Sequence, residues 1–424
     1  MSILLKTPFR SNTLETDPYV YGVRPEIIRS AVTELYNEKS VLITGARGIG
    51  KSSLCYQLQR IINGEKTILL RCGLEIDFEK YITISYVCTP QDTLETIITE
   101  IIHKLEQELE ICKKFEVKES TIEISLFKMI KASTKIENTT RNSYGTLLDN
   151  FVSIMKKFCE AYVAPHINIA IDELDQISQN ENISHFMKAS LERLSSDNMN
   201  VLTFILVGQD VLFKRLYEQQ PAFHRLVKHI QLNPLNKENT EWVFDACLKR
   251  SEIPVNIDCD DKDMLLNLSG GYPAVIQLLG HETFNCALEK YNRKPNNIAI
   301  LPQDVIHGLK NAIISESVRF DTMLEQLTGE ERNCILTMAD ASRNQIPFIY
   351  DFTNILDGIP IKELEDRKET AEKVITSLIN KQIIILTKNE IVNDISQNEF
   401  CFREELFRIY LNDKMHNDER LEVE

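Results

Sequence analysis

The sequence predicts an α/β protein: a parallel sheet sandwiched by helices, followed by a helical unit and a small α+β module. Three observations predict it. Apolar, β-branched runs at residues 40–44, 167–171, 201–207 and 228–232 alternate with helical patterns, as buried parallel strands do. The run Gly45-Ala46-Arg47-Gly48-Ile49-Gly50-Lys51-Ser52 joins the first of these strands to a helix. From about Asn236 onward the pattern is almost wholly helical, except for residues 382–402, where 383–386 and 399–402 read as two short strands.

Along the chain, Pro18-Tyr19-Val20-Tyr21-Gly22-Val23-Arg24-Pro25-Glu26 leads into a helical pattern that runs through Leu35. Ser52 and Ser53 open the helix after the glycine-rich run. Residues 67–72 and 82–88 read as β-rich. Thr89-Pro90-Gln91-Asp92 reads as a turn and helix start. The helix after it carries Leu94, Ile97, Ile98, Ile101, Ile102 and Leu105 on one face. Residues 115–138 alternate weakly and are expected to form a hairpin insertion. Leu147, Phe151, Ile154, Met155 and Phe158 mark a further helix.

At 424 residues the chain is too long for one ordinary core. A hydrophobic fraction of 43% and a charged fraction of 26% are those of a soluble globular protein. No apolar run approaches the ~20 residues that span a bilayer, and the first residues lack the apolar stretch of a signal peptide. A cytoplasmic location and no membrane partner are therefore expected. The ten cysteines form no C-x-x-C pair, so small buried hydrophobes are expected rather than zinc sites or disulfides. A net charge of −15 argues against a surface that coats nucleic acid without sequence preference.

The chemistry concentrates at the glycine-rich run. Gly45, Gly48 and Gly50 let the backbone curl around a polyphosphate. The N–H groups of Ala46, Arg47, Ile49 and the helix start at Ser52 and Ser53 would face the anion. Lys51 would reach the β- and γ-phosphates, and the Ser52 hydroxyl would ligate Mg²⁺. Residues 167–175 read Ile-Asn-Ile-Ala-Ile-Asp-Glu-Leu-Asp. Asp172, at the end of that strand, would hold the same Mg²⁺, and Glu173 would orient and deprotonate an attacking water. Asp175 reads as structural. Gln209 ends the next strand and is a candidate sensor of the γ-phosphate, because open α/β sheets place ligand contacts at the carboxyl ends of strands. Arg225, just before the fourth strand, is a candidate donor of charge to a transition state in a neighbouring subunit.

These residues carry a family resemblance. Tyr21-Gly22-Val23-Arg24-Pro25-Glu26-Ile27 resembles the F-x-G-R-x-x-E box that opens AAA+-like and STAND-type signal-transduction ATPases, with Tyr21 for Phe and Val23 inserted before Arg24. In those families the segment lines the adenine, which implies Tyr21 and Arg24 as nucleotide-side residues. The Ile-Asp-Glu-Leu-Asp block is similar to the Walker B of origin-initiator-like ATPases and their STAND relatives. Leu268-Ser269-Gly270-Gly271-Tyr272-Pro273-Ala274 resembles the G-x-P signature of STAND lids, placing Pro273 against the base. No Arg stands between Ala274 and Cys286, where an orthodox AAA+ lid carries one. The last ~95 residues resemble a winged helix, with Thr328-Gly329-Glu330-Glu331 opening its first helix. Arg403 occupies the position of a His that contacts the ADP β-phosphate in many STAND proteins. The closer-lettered Met415-His416-Asn417-Asp418 lies in the polar tail and reads as a decoy.

The resemblance implies a P-loop ATPase core at 1–235 (with 1–39 as its adenine-side segment), a helical lid at 236–326 and a winged-helix domain at 327–424. It implies ATP/ADP and Mg²⁺ as ligands. It further implies a nucleotide-driven switch that self-assembles or engages an effector protein, as bacterial relatives do in defence or stress signalling. A DNA-directed ATPase is the alternative, but residues 328–424 carry 12 Lys/Arg against 20 Asp/Glu, and a DNA reader would show a basic stripe. A metabolic kinase would need an acceptor pocket, for which the sequence offers no motif.

Overall fold

The computed structural model describes residues 5–11, 13–78, 81–115, 144–161, 166–291, 295–341, 350, 364–386 and 399–421. The expected hairpin insertion at 115–138 lies outside these, apart from its first residue. The chain forms two compact units. One comprises Val23–Arg47 and Lys51–Leu232; the other comprises Met1–Gly22, Gly48–Gly50 and Asn233–Glu424.

The first unit is a five-stranded sheet. Its elements run α1 (Pro25–Tyr36), β1 (Ser40–Gly45), α2 (Lys51–Ile62), α3 (Thr67–Arg71), β2 (Tyr81–Val87), α4 (Leu94–Phe115), α5 (Tyr144–Ala161) and β3 (His166–Asp172). They continue with α6 (Ile183–Ser196), β4 (Leu202–Gly208), α7 (Val211–Gln219), α8 (Phe223–Leu226) and β5 (Val227–Leu232). All the strands pair in parallel in the order β2-β3-β4-β1-β5. The central strands β1 and β4 are buried along their whole length, which is why they read as continuous apolar runs. Side chains alternate between the faces. Ile167, Ile169, Ile171, Phe204 and Leu206 join one core with Ile97, Ile101, Phe151 and Phe186 of α4, α5 and α6. Asn168 and Thr203 point to the other face, where the Asn168 amide donates to the Thr203 hydroxyl at 2.9 Å.

One expectation fails here. Residues 67–71 are helical, not a strand. A short apolar run fits a buried strand or a helix turn equally. The helix is closed by the Cys72 N–H on the carbonyls of Ile68 and Leu69, and Leu70 is left exposed.

The second unit is mostly helical: α9 (Lys237–Lys249), β6 (Val255–Ile257), α10 (Cys259–Ser269), α11 (Pro273–Glu289), β7 (Ile298–Ile300) and α12 (Pro302–Glu325). It ends with α13 (Gly329–Ala341), α14 (Leu364–Asn380), β8 (Ile384–Leu386), β9 (Phe400–Phe402) and α15 (Glu405–Leu421). The antiparallel β8–β9 pair falls on the two short strands expected at 383–386 and 399–402. The parallel β6–β7 pair was not expected, because three residues per strand are too few to show a period. The string at Met415–Asp418, read as part of the polar tail, lies in α15, and Met415 packs against the core. The N-terminal segment is held by side chains of this unit. Phe9 is buried against Phe244, with ring centroids 5.3 Å apart, and Arg250 donates to the Pro8 carbonyl at 2.6 and 3.0 Å.

The start of α13 is a reciprocal cap: the Thr328 N–H donates to Glu331 at 2.7 Å, and the Glu331 N–H donates to the Thr328 hydroxyl at 3.3 Å. Glu331 is buried and also accepts from Lys381 at 2.6 Å and Ser377 at 2.5 Å. Burial pushes its carboxyl up, but those hydrogen bonds outweigh it and bring the pKa from 4.5 down to about 2. A depressed acid stabilises the fold above its unfolded pKa and loses that contribution as the pH falls through the folded one. Glu331→Gln is therefore expected to destabilise this unit by about 2 kcal/mol near neutral pH. In denaturant titrations the gap from wild type should hold above pH 4.5 and close toward pH 2; a gap independent of pH would contradict the ionic role.

Candidate nucleotide site

The parallel sheet brings Gly45, Asp172 and Gln209 to the carboxyl ends of its strands, whereas Arg225, two residues before β5, stands at the amino end, where Val227 pairs with Ser40. β1 sits between β4 and β5, with Thr44 beside Gly208 and Gly45 beside Leu232. The chain leaves β1 at Gly45, and α2 begins at Lys51. The first N–H groups of a helix have no partner within it and carry the positive end of its dipole. Lys51 folds across the loop, its Nζ donating to the carbonyls of Gly45 at 3.0 Å and Ala46 at 2.8 Å. That fixes one positive charge inside the loop. Ser52 and Ser53 are half-buried in the first turn of α2, while Arg47 is exposed.

Asp172 is the last residue of β3 and half-buried. One of its carboxylate oxygens accepts the Glu173 N–H at 2.8 Å, and its carbonyl accepts the Cys88 N–H at 2.9 Å. Glu173 follows with φ +54°, a left-handed conformation that costs a non-glycine residue of order 1–3 kcal/mol. Its side chain is exposed. The turn thus presents two adjacent carboxylates at the carboxyl end of the sheet. Cys55, one helical turn beyond Ser52, feels this charge: burial first, and Asp172 second, push its thiol up to about 12. Cys88 is likewise pushed to about 12 by burial, with Asp92 and Asp172 adding to it. Ser52 and Asp172 therefore offer hard oxygen donors on neighbouring elements, which suits Mg²⁺. Among the described residues no group of three or more His, Cys, Asp or Glu is placed to hold a metal. Mg²⁺ needs only one or two protein ligands beside phosphates and waters.

Asp175 is structural, as expected. Its carboxylate accepts the Gln209 N–H at 2.9 Å and lies where a Cβ on Gly208 would fall, at 2.8 Å. It fixes the turn that carries Gln209. Arg215 on α7 clamps the same region, donating to the carbonyls of Leu174 at 2.8 Å and Ile177 at 3.1 Å. Sequence reasoning missed Arg215, which reads as an ordinary helix-face residue. It also missed His229, whose Nε2 lies 2.7 Å from the Thr44 hydroxyl. The His229 ring stacks on Phe213 at 4.1 Å, and burial lowers its pKa against the opposing pull of Asp210. Arg225 is exposed on α8, and among the described residues no side-chain hydrogen bond or ion pair ties it to the loop. Arg24 precedes α1 in this unit.

The remaining predicted residues belong to the second unit. Tyr21 is buried, its N–H donating to the Asp17 carbonyl at 3.0 Å. Gly48 and Gly50 have φ of +76° and +98°, which other residues rarely adopt. The Ala274 N–H donates to the Gly48 carbonyl at 3.2 Å, and a Cβ on Gly48 would stand 2.9 Å from that of Ala274. Pro273 opens α11, and its Cγ would lie 3.8 Å from a Cβ on Gly50. Arg403 is held one residue away: its Nε donates to the Tyr272 hydroxyl at 3.1 Å, and its N–H to the Ile383 carbonyl at 2.9 Å.

This fold, with its parallel sheet, glycine-rich loop and flanking helices, is the P-loop AAA+ fold. Residues 33–216 match the family model described as the AAA domain. Among solved structures, the chain is similar to the Walker-type ATPase PABY2304 of Pyrococcus abyssi, at 14% identity and a TM-score of 0.57, over 95% of this chain and 98% of that one. It is similar to the ORC2 protein of Aeropyrum pernix, solved in ADPNP–ADP complexes, at 13% identity and a TM-score of 0.52, over 92% and 93% of the two chains. These likenesses show the fold. No curated protein matches the chain in sequence.

The thiols check the burial beside the acidic turn. At about pH 8, Cys55 and Cys88 should stay protonated and unreactive while exposed Cys259 is alkylated. Pulse alkylation read by peptide mass spectrometry measures this; labelling of Cys55 as fast as Cys259 in the folded protein would contradict it.

Proposed function

We propose that the chain is an ATP-binding, slowly hydrolysing molecular switch of STAND type, whose nucleotide state controls self-assembly or the engagement of a partner protein. The loop N–H groups and Lys51 would bind the polyphosphate. Ser52 and Asp172 would hold Mg²⁺, which when bound neutralises phosphate charge. Glu173 would orient the attacking water and accept its proton at a carboxylate oxygen. Gln209, on a turn fixed by Asp175, would sense the γ-phosphate.

The observation that carries the switch reading is the hydrogen bond from the Ala274 N–H to the Gly48 carbonyl. A loop that adjusts to a γ-phosphate must carry Gly48 with it, and Gly48 is bonded to the first turn of α11. The next residue back, Tyr272, is bonded to Arg403 at the end of β9. This chain of contacts supports a route from the loop to the wing within one unit. The carboxylates around the lysines in and just after α14 weigh against DNA as the partner: Lys373 pairs with Glu369, and Lys381 with Glu331.

Lys51→Ala is expected to weaken ATP binding at least tenfold in isothermal titration calorimetry, a loss of about 1.4 kcal/mol or more. Glu173→Gln should bind ATP as wild type does but turn over at least about 10²-fold more slowly. Unchanged turnover would remove Glu173 from the role of base. Light scattering should then show a change of oligomeric state, or capture of a partner, between ATP and ADP. No change in either would overturn the switch, and salt-sensitive, ATP-dependent DNA binding would favour the DNA-directed alternative.

A further inference from the structure

The end of β1 nearest the glycine-rich loop holds a buried polar pair that the core does not need. From Val41 to Ile43 the strand is apolar and buried, and Thr44, the next residue, is buried as well. Its hydroxyl is hydrogen-bonded with Nε2 of half-buried His229 at 2.7 Å. Leu42 and Thr44 share one face of β1, and His229, in register with Leu42 on β5, lies on the same face. A valine and a phenylalanine would fill the same space with no polar group to satisfy. Each member of the pair therefore obliges the protein to keep the other, since a buried polar group left alone bears its full desolvation cost.

What the pair gains is direction. Thr44 is the last residue before Gly45, whose φ of +153° suits glycine and whose carbonyl accepts Lys51 Nζ at 3.0 Å. A hydrogen bond on the Thr44 side chain fixes the residue from which the loop departs. The imidazole is held on its flat side too. It stacks on Phe213, with centroids 4.1 Å apart and planes 3° from parallel. Phe213 stands in the first turn of α7 beside Leu212, whose N–H donates to the Gln209 carbonyl at 2.9 Å. Leu212 also packs on Gly208, where a Cβ would meet its Cδ2 at 2.4 Å. One side chain thus touches both the root of the loop that carries Lys51 and the helix turn that carries Gln209.

We propose that His229 is a positioning residue of the nucleotide site: through Thr44 and Phe213 it sets the spacing between Lys51 and Gln209 that a triphosphate requires. The inference rests on the nucleotide reading above and adds a residue that acts through its neighbours rather than on the ligand. It also gives a preference. A ligand that reaches both Lys51 and Gln209 depends on the spacing, whereas one that ends at the β-phosphate depends on Lys51 alone. Loss of the pair therefore weakens ATP more than ADP.

The test is a double-mutant cycle on the full chain, read by thermal unfolding and by isothermal titration calorimetry with Mg²⁺ and ATP or ADP. It is run at about pH 8, where the imidazole, its pKa lowered by burial, is neutral. Thr44→Val strands the imidazole and His229→Phe strands the hydroxyl, so each should lower the unfolding temperature. The double variant strands neither and should unfold close to wild type. Its Kd for ATP should nevertheless stay raised at least about fivefold, with a smaller change for ADP. Thr44→Ser keeps the hydroxyl and should bind both nucleotides as wild type does. A double variant with wild-type affinity for ATP, or with equal losses for ATP and ADP, overturns the proposal and leaves the pair a matter of core packing. A wild type that binds neither nucleotide, or a Lys51→Ala variant that binds both undiminished, brings down the nucleotide reading itself and this inference with it.

Discussion

The position of β1 between β4 and β5 is the constraint on which the candidate site depends. Parallel pairing in register carries Gly45, Gly208 and Asp172 to the same edge of the sheet. A one-residue slip of any of these strands would turn its inward side chains outward. The apolar filling of both faces forbids that slip, because Ile169 and Phe204 serve one layer while Ala170 and Ile205 point to the other. Hydrophobic packing that has no part in chemistry thus sets where Lys51, Asp172 and Gln209 can be. Polar contacts then refine the edge. Thr44 is held by His229, Gln209 by Asp175, and the turn after Asp172 by Arg215.

In the second unit a comparable constraint is steric. Gly271 has φ +76°, and a Cβ there would fall 2.3 Å from the Leu235 carbonyl. The Leu235 N–H in turn donates to the Gly271 carbonyl at 2.9 Å. This close approach fixes the corner at which α10 ends and α11 begins. The corner presents Pro273 and Ala274 toward Gly48 and Gly50, and it holds Tyr272 against Arg403. A small residue at position 271 is therefore a requirement of backbone packing before any ligand is considered.

Much of the sheet was legible in the sequence because buried parallel strands are long apolar runs with glycine or acid at their ends. The loop was legible because its glycines, Lys51 and Ser52 stand at fixed spacing between a strand and a helix. The β6–β7 pair was not, since Val255–Ile257 and Ile298–Ile300 are too short for a period and lie far apart in sequence. Residues 67–71 were misread because local apolarity does not choose between helix and strand. The N-terminal segment was assigned by its neighbourhood in sequence, whereas Phe9 and Pro8 are claimed by Phe244 and Arg250 of a distant helix and its end. Arg215 and His229 were invisible because their roles exist only once separate strands and helices are brought together. Arg403 was placed by resemblance; its bond to Tyr272 comes from the folded arrangement alone.

In the proposed switch, the state of the loop is felt at the start of α11 and onward at Arg403. Amide hydrogen exchange of the full chain with Mg²⁺ and either ATP or ADP, on a variant that binds ATP without consuming it, tests this most directly. Peptides covering Tyr272–Ile276 and Arg403 should exchange at different rates in the two states, while the buried strand β4 does not change. Identical exchange at Ala274 and Arg403 with both nucleotides saturating would contradict it.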